Sequence, residues 1–108
     1  MVIVMTTAWV PHAKASEVGK LFIEAMKKYP ADKSLSKELL NNAVVATKEG
    51  YKVVNADEIK EGKLKEYIAL LNKTLLFMAN GIEGYKYQIE VMSSIFEAMD
   101  IVGLKPPE

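Results

Sequence analysis

Arginine and cysteine are both missing from this chain, and histidine occurs once, at position 12. Without arginine there is no planar guanidinium fork, the group that grips phosphates and carboxylates through two hydrogen bonds at once. Without cysteine there is no disulfide, no thiolate nucleophile and no Cys-built zinc or iron–sulfur site. The single histidine has no supporting cluster of carboxylates at ligand spacing, so neither a metal nor another cofactor is expected. Long apolar runs are also lacking, and none approaches the ~20 residues of a membrane-spanning helix. Charge of one sign does not dominate either. Fourteen lysines balance fourteen acidic residues, without a block of either sign. That excludes the electrostatics of a nucleic-acid binder and of an anionic-membrane binder. The opening MVIVMTTAWV has no basic stretch ahead of its apolar residues and reads as a strand rather than a leader. A cytoplasmic protein is expected.

What is present is a well-populated apolar pattern. Half of the 108 residues are hydrophobic, which rules against disorder, and the length suits one domain. The expected unit is residues 1–104, followed by a frayed tail, Lys105 to Glu108. A domain of this size buries only about two-thirds of its unfolded surface, so self-association would add useful burial.

The periodicities give an order of elements. From Val2 to Val10 the residues fall into two sets, Ile3, Met5, Thr7 and Trp9 against Val2, Val4, Thr6, Ala8 and Val10. Neither set carries a charge, which fits a strand covered on both faces. Pro11 ends it by removing a donor. Val18, Leu21, Phe22, Ala25, Met26 and Tyr29 then mark an amphipathic helix from about Ser16 to Tyr29, closed by Pro30. The stretch from Ala31 to Asn42 reads as polar and irregular, with Leu39 and Leu40 anchoring it to the core. Ala43–Thr47 and Tyr51–Ile59 read as a hairpin turning at Gly50, where a positive φ is needed. A second helix spans about Gly62 to Asn80 with a core stripe of Leu64, Tyr67, Ile68, Leu71, Leu75 and Met78. Leu70, Leu76 and Phe77 are in surplus, and Asn80-Gly81 fits a C-cap. Tyr85 to Met92 alternates as a half-buried strand. Ser94 and Glu97 are spaced as the capping box of a short last helix that ends at Gly103.

Chemistry-bearing motifs are few. Asn80-Gly81-Ile82-Glu83-Gly84 has neither the Lys-Ser/Thr of a phosphate loop nor the setting of a dinucleotide fingerprint, and no serine occupies a nucleophile elbow. His12, just beyond the first strand and beside Trp9 and Pro11, is the candidate catalytic residue, as a general base. The plainer reading is an exposed loop histidine. Trp9 is read first as core or interface. Gln88 and Glu90 share one side of the last strand, where they matter only if something closes over that side.

The βαββαβ order resembles the ferredoxin-like α+β plan, a four-stranded antiparallel sheet with its helices on one face, here with a short extra C-terminal helix. Within that plan the residues sort the known groups. A metal-chaperone domain would carry Cys-x-x-Cys, and an acylphosphatase a phosphate-binding arginine. An RNA-recognition domain would carry further aromatics along its third strand, where Gly50-Tyr51-Lys52-Val53-Val54-Asn55-Ala56 keeps Gly-Tyr and one Val but loses both later aromatics. The chain is most similar, over about Met1 to Val102, to the dimeric α+β barrel group, in which two subunits stack their open sheets. That group holds cofactor-independent monooxygenases, muconolactone-type isomerases, haem-dependent chlorite dismutase relatives and ligand-sensing domains. The resemblance rests on element order, so it transfers no catalytic residue.

Three readings follow. In the first, a homodimer encloses a small apolar or aromatic ligand, lined by Thr7, Trp9 and His12, with Gln88 and Glu90 supplying directional hydrogen bonds. In the second, the same cavity belongs to a cofactor-free monooxygenase or isomerase with His12 as base. In the third, the surplus apolar residues of the second helix make a protein-interaction scaffold.

Overall fold

The computed structural model describes residues 1–105, so the expected tail lies outside the described residues from position 106 onward. Its elements run β1 (Val2–Val10), α1 (Ala15–Lys28), β2 (Ser36–Ala46), β3 (Tyr51–Ile59), α2 (Leu64–Gly81), β4 (Lys86–Ser93) and α3 (Ile95–Ile101), with a 3₁₀ turn at His12–Lys14. The four strands form one sheet in the order β2-β3-β1-β4, and each neighbouring pair is antiparallel. This is the ferredoxin-like topology. Each of the two βαβ crossovers skips over one intervening strand, which places both long helices on the same side of the sheet.

The alternation of β1 decides which side that is. Val4 has no exposed surface, and Ala8 and Val10 are nearly as buried. Val4 packs with Leu35, Ile59 and Tyr67, and Ile68, Leu70, Leu71 and Ile89 lean on this cluster. The even-numbered set of β1 therefore faces the helices, and the odd-numbered set faces away. Where α1 passes α2, Gly81 permits a close approach, since a Cβ there would lie 2.4 Å from Leu21 Cδ2. Tyr29 meets Phe77 edge to face at 6.1 Å, and Lys28 Nζ sits 5.2 Å from the centre of the Phe77 ring.

Three local expectations are corrected. The segment read as irregular is mostly strand: β2 begins at Ser36 and carries two register irregularities, between Glu38 and Leu40 and between Leu40 and Ala43. Asn42 adopts φ 47° there, a conformation that asparagine tolerates well. These extra residues break the period-2 pattern, which is why the sequence hid the strand. Leu39 and Leu40 do not anchor to the core; they are 49% and 42% exposed. Finally, α2 runs through Gly81 and is capped by Ile82, and the positive φ beyond it belongs to Gly84. The surplus of α2 is largely used inside the protomer. Leu70 leans on the core and Phe77 on Tyr29, leaving Leu76 half exposed.

At the other end of β1, Gly50 (φ 151°) sits so close that a Cβ would fall 2.2 Å from the Val10 carbonyl oxygen. Its own carbonyl accepts hydrogen bonds at 2.7 Å from both the Thr47 amide and the Thr47 hydroxyl. The tight turn expected between β2 and β3 is therefore built on glycine for a steric reason. The predicted capping box of α3 is present, with Ser94 Oγ accepting from the Glu97 amide at 3.1 Å.

Candidate functional site

The register of the sheet assembles most of the expected site on the helix-free face. Going along β1, Ile3 lies between Glu58 and Met92, Met5 between Ala56 and Glu90, Thr7 between Val54 and Gln88, and Trp9 between Lys52 and Lys86. Directly paired residues of antiparallel strands share a face, so Thr7, Trp9, Gln88 and Glu90 belong to one surface. On β2 the same surface continues through Leu40, Ala43 and Val45. It is apolar in the middle, and Thr7 is only 5% exposed beneath its larger neighbours while Trp9 is 39% exposed. Polar groups sit toward the margins.

His12 stands apart from that group. It lies in the 3₁₀ turn after β1, exposed, with its ring edge-on to Tyr51 at 5.2 Å. Tyr51 pairs with Val10 and so belongs to the helix-facing set. His12 Nε2 is 3.2 Å from the Lys48 carbonyl oxygen. Only a protonated Nε2 can donate to that oxygen, which leaves the lone pair of the neutral ring on Nδ1. Chemically, this is a histidine held in a base-competent tautomer at the end of the strand, not on the sheet surface.

A second polar group lies on the helix-covered side, where sequence reasoning placed no site. The Tyr67 hydroxyl donates to Asp57 Oδ2, and Asn55 Nδ2 donates to the same oxygen at 3.3 Å. Thr6 pairs with Asn55 across the β1–β3 ladder. It is 6% exposed, and among the described residues its Oγ1 has no hydrogen-bond partner. Burial first, and the Asp57 carboxylate second, push the Tyr67 phenol well above its ordinary pKa, so it remains a donor at any working pH. Just before β4, toward the other end of the sheet, burial and the neighbouring Tyr87 raise Tyr85 to about 12. The readable signal was the alternation of β3, which puts Asn55 and Asp57 on the side of Tyr51 and Val53. Such polar residues on a core face demand a partner.

Two depressions are open to solvent rather than enclosed. One of about 720 Å³ is bordered by Val2, Lys37, Glu58, Ile59, Lys60 and Leu64. The other, of about 540 Å³, lies along Phe96, Glu97, Asp100 and Ile101 of α3. Among the described residues no three His, Cys, Asp or Glu side chains converge as a metal site, and no helix is long and apolar enough to cross a membrane.

Solved structures share this fold. A dimeric ferredoxin-like protein from an uncultured marine organism aligns over 87% of this chain and 94% of its own, with a TM-score of 0.57 and 21% identity. An antibiotic biosynthesis monooxygenase aligns over 87% and 98%, with a TM-score of 0.55 and 14% identity. The de novo designed protein Foldit4 aligns over 86% and 97%, with a TM-score of 0.56 and 12% identity. No protein-family description matches the sequence, and no curated protein matches it. At these identities the likeness is one of fold. A designed protein among the neighbours underlines that the topology by itself specifies no activity.

Proposed function

We propose that residues 1–104 act as one unit that pairs with a second copy through the helix-free sheet face, and that the space between the sheets takes a small apolar or aromatic molecule. One observation carries this reading: the face centred on Ile3, Met5, Val54 and Trp9 is apolar, yet among the described residues no helix packs over it. A contiguous apolar surface of that kind marks an interaction site. Thr7, Gln88 and Glu90 would then give the enclosed space its few directional polar contacts. The marine neighbour is itself described as dimeric, which supports the pairing. A cytoplasmic location is part of this reading and rests on the sequence alone. Light scattering behind size exclusion tests the pairing: a dimer is expected at micromolar concentration, and a stable monomer removes the basis of the proposal.

A second reading is an enzyme of the cofactor-independent monooxygenase or isomerase type, with His12 as general base. The contact of His12 Nε2 with the Lys48 carbonyl supports it, because a neutral ring that donates there keeps its lone pair on Nδ1 to take a proton from an acidic C–H or phenol. The fold shared with an antibiotic biosynthesis monooxygenase is consistent with it. Oxygen uptake and product formation over a panel of hydroxylated aromatics would reveal such turnover. Activity should fall at least a hundredfold in His12→Ala, and full activity in that variant defeats the assignment.

A further inference from the structure

The open face carries its charges asymmetrically along the strands. Lys52 and Lys86 flank Trp9 at one end of the sheet. Glu58 flanks Ile3 at the other end, and Glu90 lies one pair further in, beside Met5. Lys37, on the edge strand opposite Glu58, is a lysine of this face at the acidic end, and Lys60 borders the same depression as Glu58 there. α3 leaves β4 at that same end and adds Glu97 and Asp100. Glu97 is already paired with the chain's amino terminus. α3 is also strongly apolar for a surface helix: Ile95, Phe96 and Ile101 are 66%, 57% and 81% exposed.

A two-fold axis between two stacked sheets can run along the strands or across them. Along the strands, like ends superpose while the strand order reverses, so Lys52 stands over the partner's Trp9 and the lysines of both copies gather at one end. Across the strands, the two sheets reverse, and opposite ends meet. Lys52 then stands over the partner's Glu58, Gln88 over the partner's Glu90, and Trp9 over the partner's Ile3. α3 comes to rest at the partner's Trp9–Lys86 end, where its acid and apolar groups find lysines and an exposed indole. Like-charge juxtaposition at an interface is costly, and complementary ends fix the register.

We propose, building on the self-association above, that the second copy stacks with its strands reversed about an axis across them, pairing Lys52 with Glu58 between protomers. α3 of each copy closes the Trp9 end of the other, so the site is complete only in the dimer.

The absence of cysteine makes this directly measurable. Lys52→Cys, Glu58→Cys and the double variant are treated with a bis-maleimide of about 10 Å span, matching the separation of packed sheets. Within one chain the two positions lie roughly 20 Å apart along β3, too far to bridge. Reversed stacking yields a covalent dimer from the double variant and none from either single variant. Cross-linking of Lys52→Cys alone overturns the proposal, because it reports like ends in contact. So does failure of all three when the unmodified protein is dimeric by light scattering. A monomeric unmodified protein overturns the self-association reading along with it. Charge exchange gives a second readout free of cysteine: Lys52→Glu should raise the dimer Kd at least tenfold, and adding Glu58→Lys should return it to within about threefold. No recovery in the double exchange overturns the pairing. Phe96→Ser changes a side chain exposed in the protomer, so it should raise Kd about tenfold without unfolding; an unchanged Kd removes α3 from the contact.

Discussion

Replacing Tyr67 with phenylalanine removes one oxygen and little else, which makes it a sharp test of the polar group under α2. The ring is 7% exposed and packs with Val4, Leu35 and Ile59. Phenylalanine keeps that packing and leaves no cavity. What disappears is the hydrogen bond to Asp57. Bonds to a charged acceptor contribute about 1.5–3 kcal/mol. Asn55 still donates to the same carboxylate oxygen at 3.3 Å, so the loss should fall toward the lower part of that range, near 2 kcal/mol. For a domain of this size that corresponds to a fall of about 8–16 °C in Tm. Leu76→Ala, at a half-exposed position of the same helix, serves as the control and should stay within about 0.5 kcal/mol.

The same variant carries a pH signature with a definite sign. Burial raises the Tyr67 pKa in the folded protein, so folding favours the protonated phenol. That stability is complete below the unfolded tyrosine pKa near 10 and is lost as pH climbs above it. There the unfolded chain releases a proton and the folded chain does not. One such group approaches a loss of roughly 1.4 kcal/mol per pH unit once the pH is well above the unfolded pKa. Phenylalanine cannot titrate. The stability gap between the natural protein and Tyr67→Phe should therefore narrow by about 1 kcal/mol between pH 10 and 11. Urea unfolding at pH 8, 10 and 11 measures it. A variant as stable as the natural protein at pH 8, or a gap that stays constant to pH 11, refutes the claim that Tyr67 is a buried, protonated donor to Asp57.

Two further substitutions test neighbouring parts of the framework. Gly50→Ala drives a Cβ into the backbone oxygen of Val10 at a positive φ, and backbone cannot move aside as a side chain can. A loss of about 2–4 kcal/mol is expected, read as a lower urea midpoint at unchanged m-value; a loss below 1 kcal/mol would contradict the tight turn. Thr6→Val replaces a buried hydroxyl that has no partner among the described residues by a group of the same shape. Purified protein should gain roughly 1 kcal/mol, whereas a lower Tm would show that the hydroxyl is held by something other than the chain.

The parts of this molecule that were legible in the sequence are those governed by one simple period. β1 and β4 alternate cleanly, and the two sets read from β1 are its two observed faces; which set meets the helices, and with it Tyr51, Val53, Asn55 and Asp57 of β3, is a result of the structure. The short capping box and the glycine at the β2–β3 turn were legible because a cap and a left-handed backbone each demand particular residue types. β2 was not, because its register irregularities shift the alternation twice within eleven residues. Leu39 and Leu40 then looked like a buried pair, and two adjacent apolar residues in a strand cannot both face the core.

The site was legible only as far as a face can be read without depth. Thr7, Trp9, Gln88 and Glu90 share one face of the sheet, which is as much as alternation alone can say of them. His12 was legible as a residue of the turn just past β1, but the side to which it turns was not, since beyond the strand end the chain follows the turn rather than the pleat. The turn carries it onto Tyr51 and the Lys48 carbonyl. The Thr6–Asn55–Asp57–Tyr67 group was missed for the opposite reason. Alternation puts Asn55 and Asp57 on one side of β3, but their polarity by itself names no partner. A carboxylate on the side of the sheet that two helices cover is expensive unless an element above it supplies a donor. Tyr67 was already counted in the apolar stripe of α2. Its hydroxyl is the donor which that carboxylate requires, so the two observations together predict the contact that neither predicts alone. The same reasoning, applied to the uncovered side, makes the margins of charge around Ile3, Met5 and Trp9 a statement about the orientation of whatever lies opposite. Apolar centres favour contact of any kind, whereas lysines at one end and glutamates at the other select a single direction.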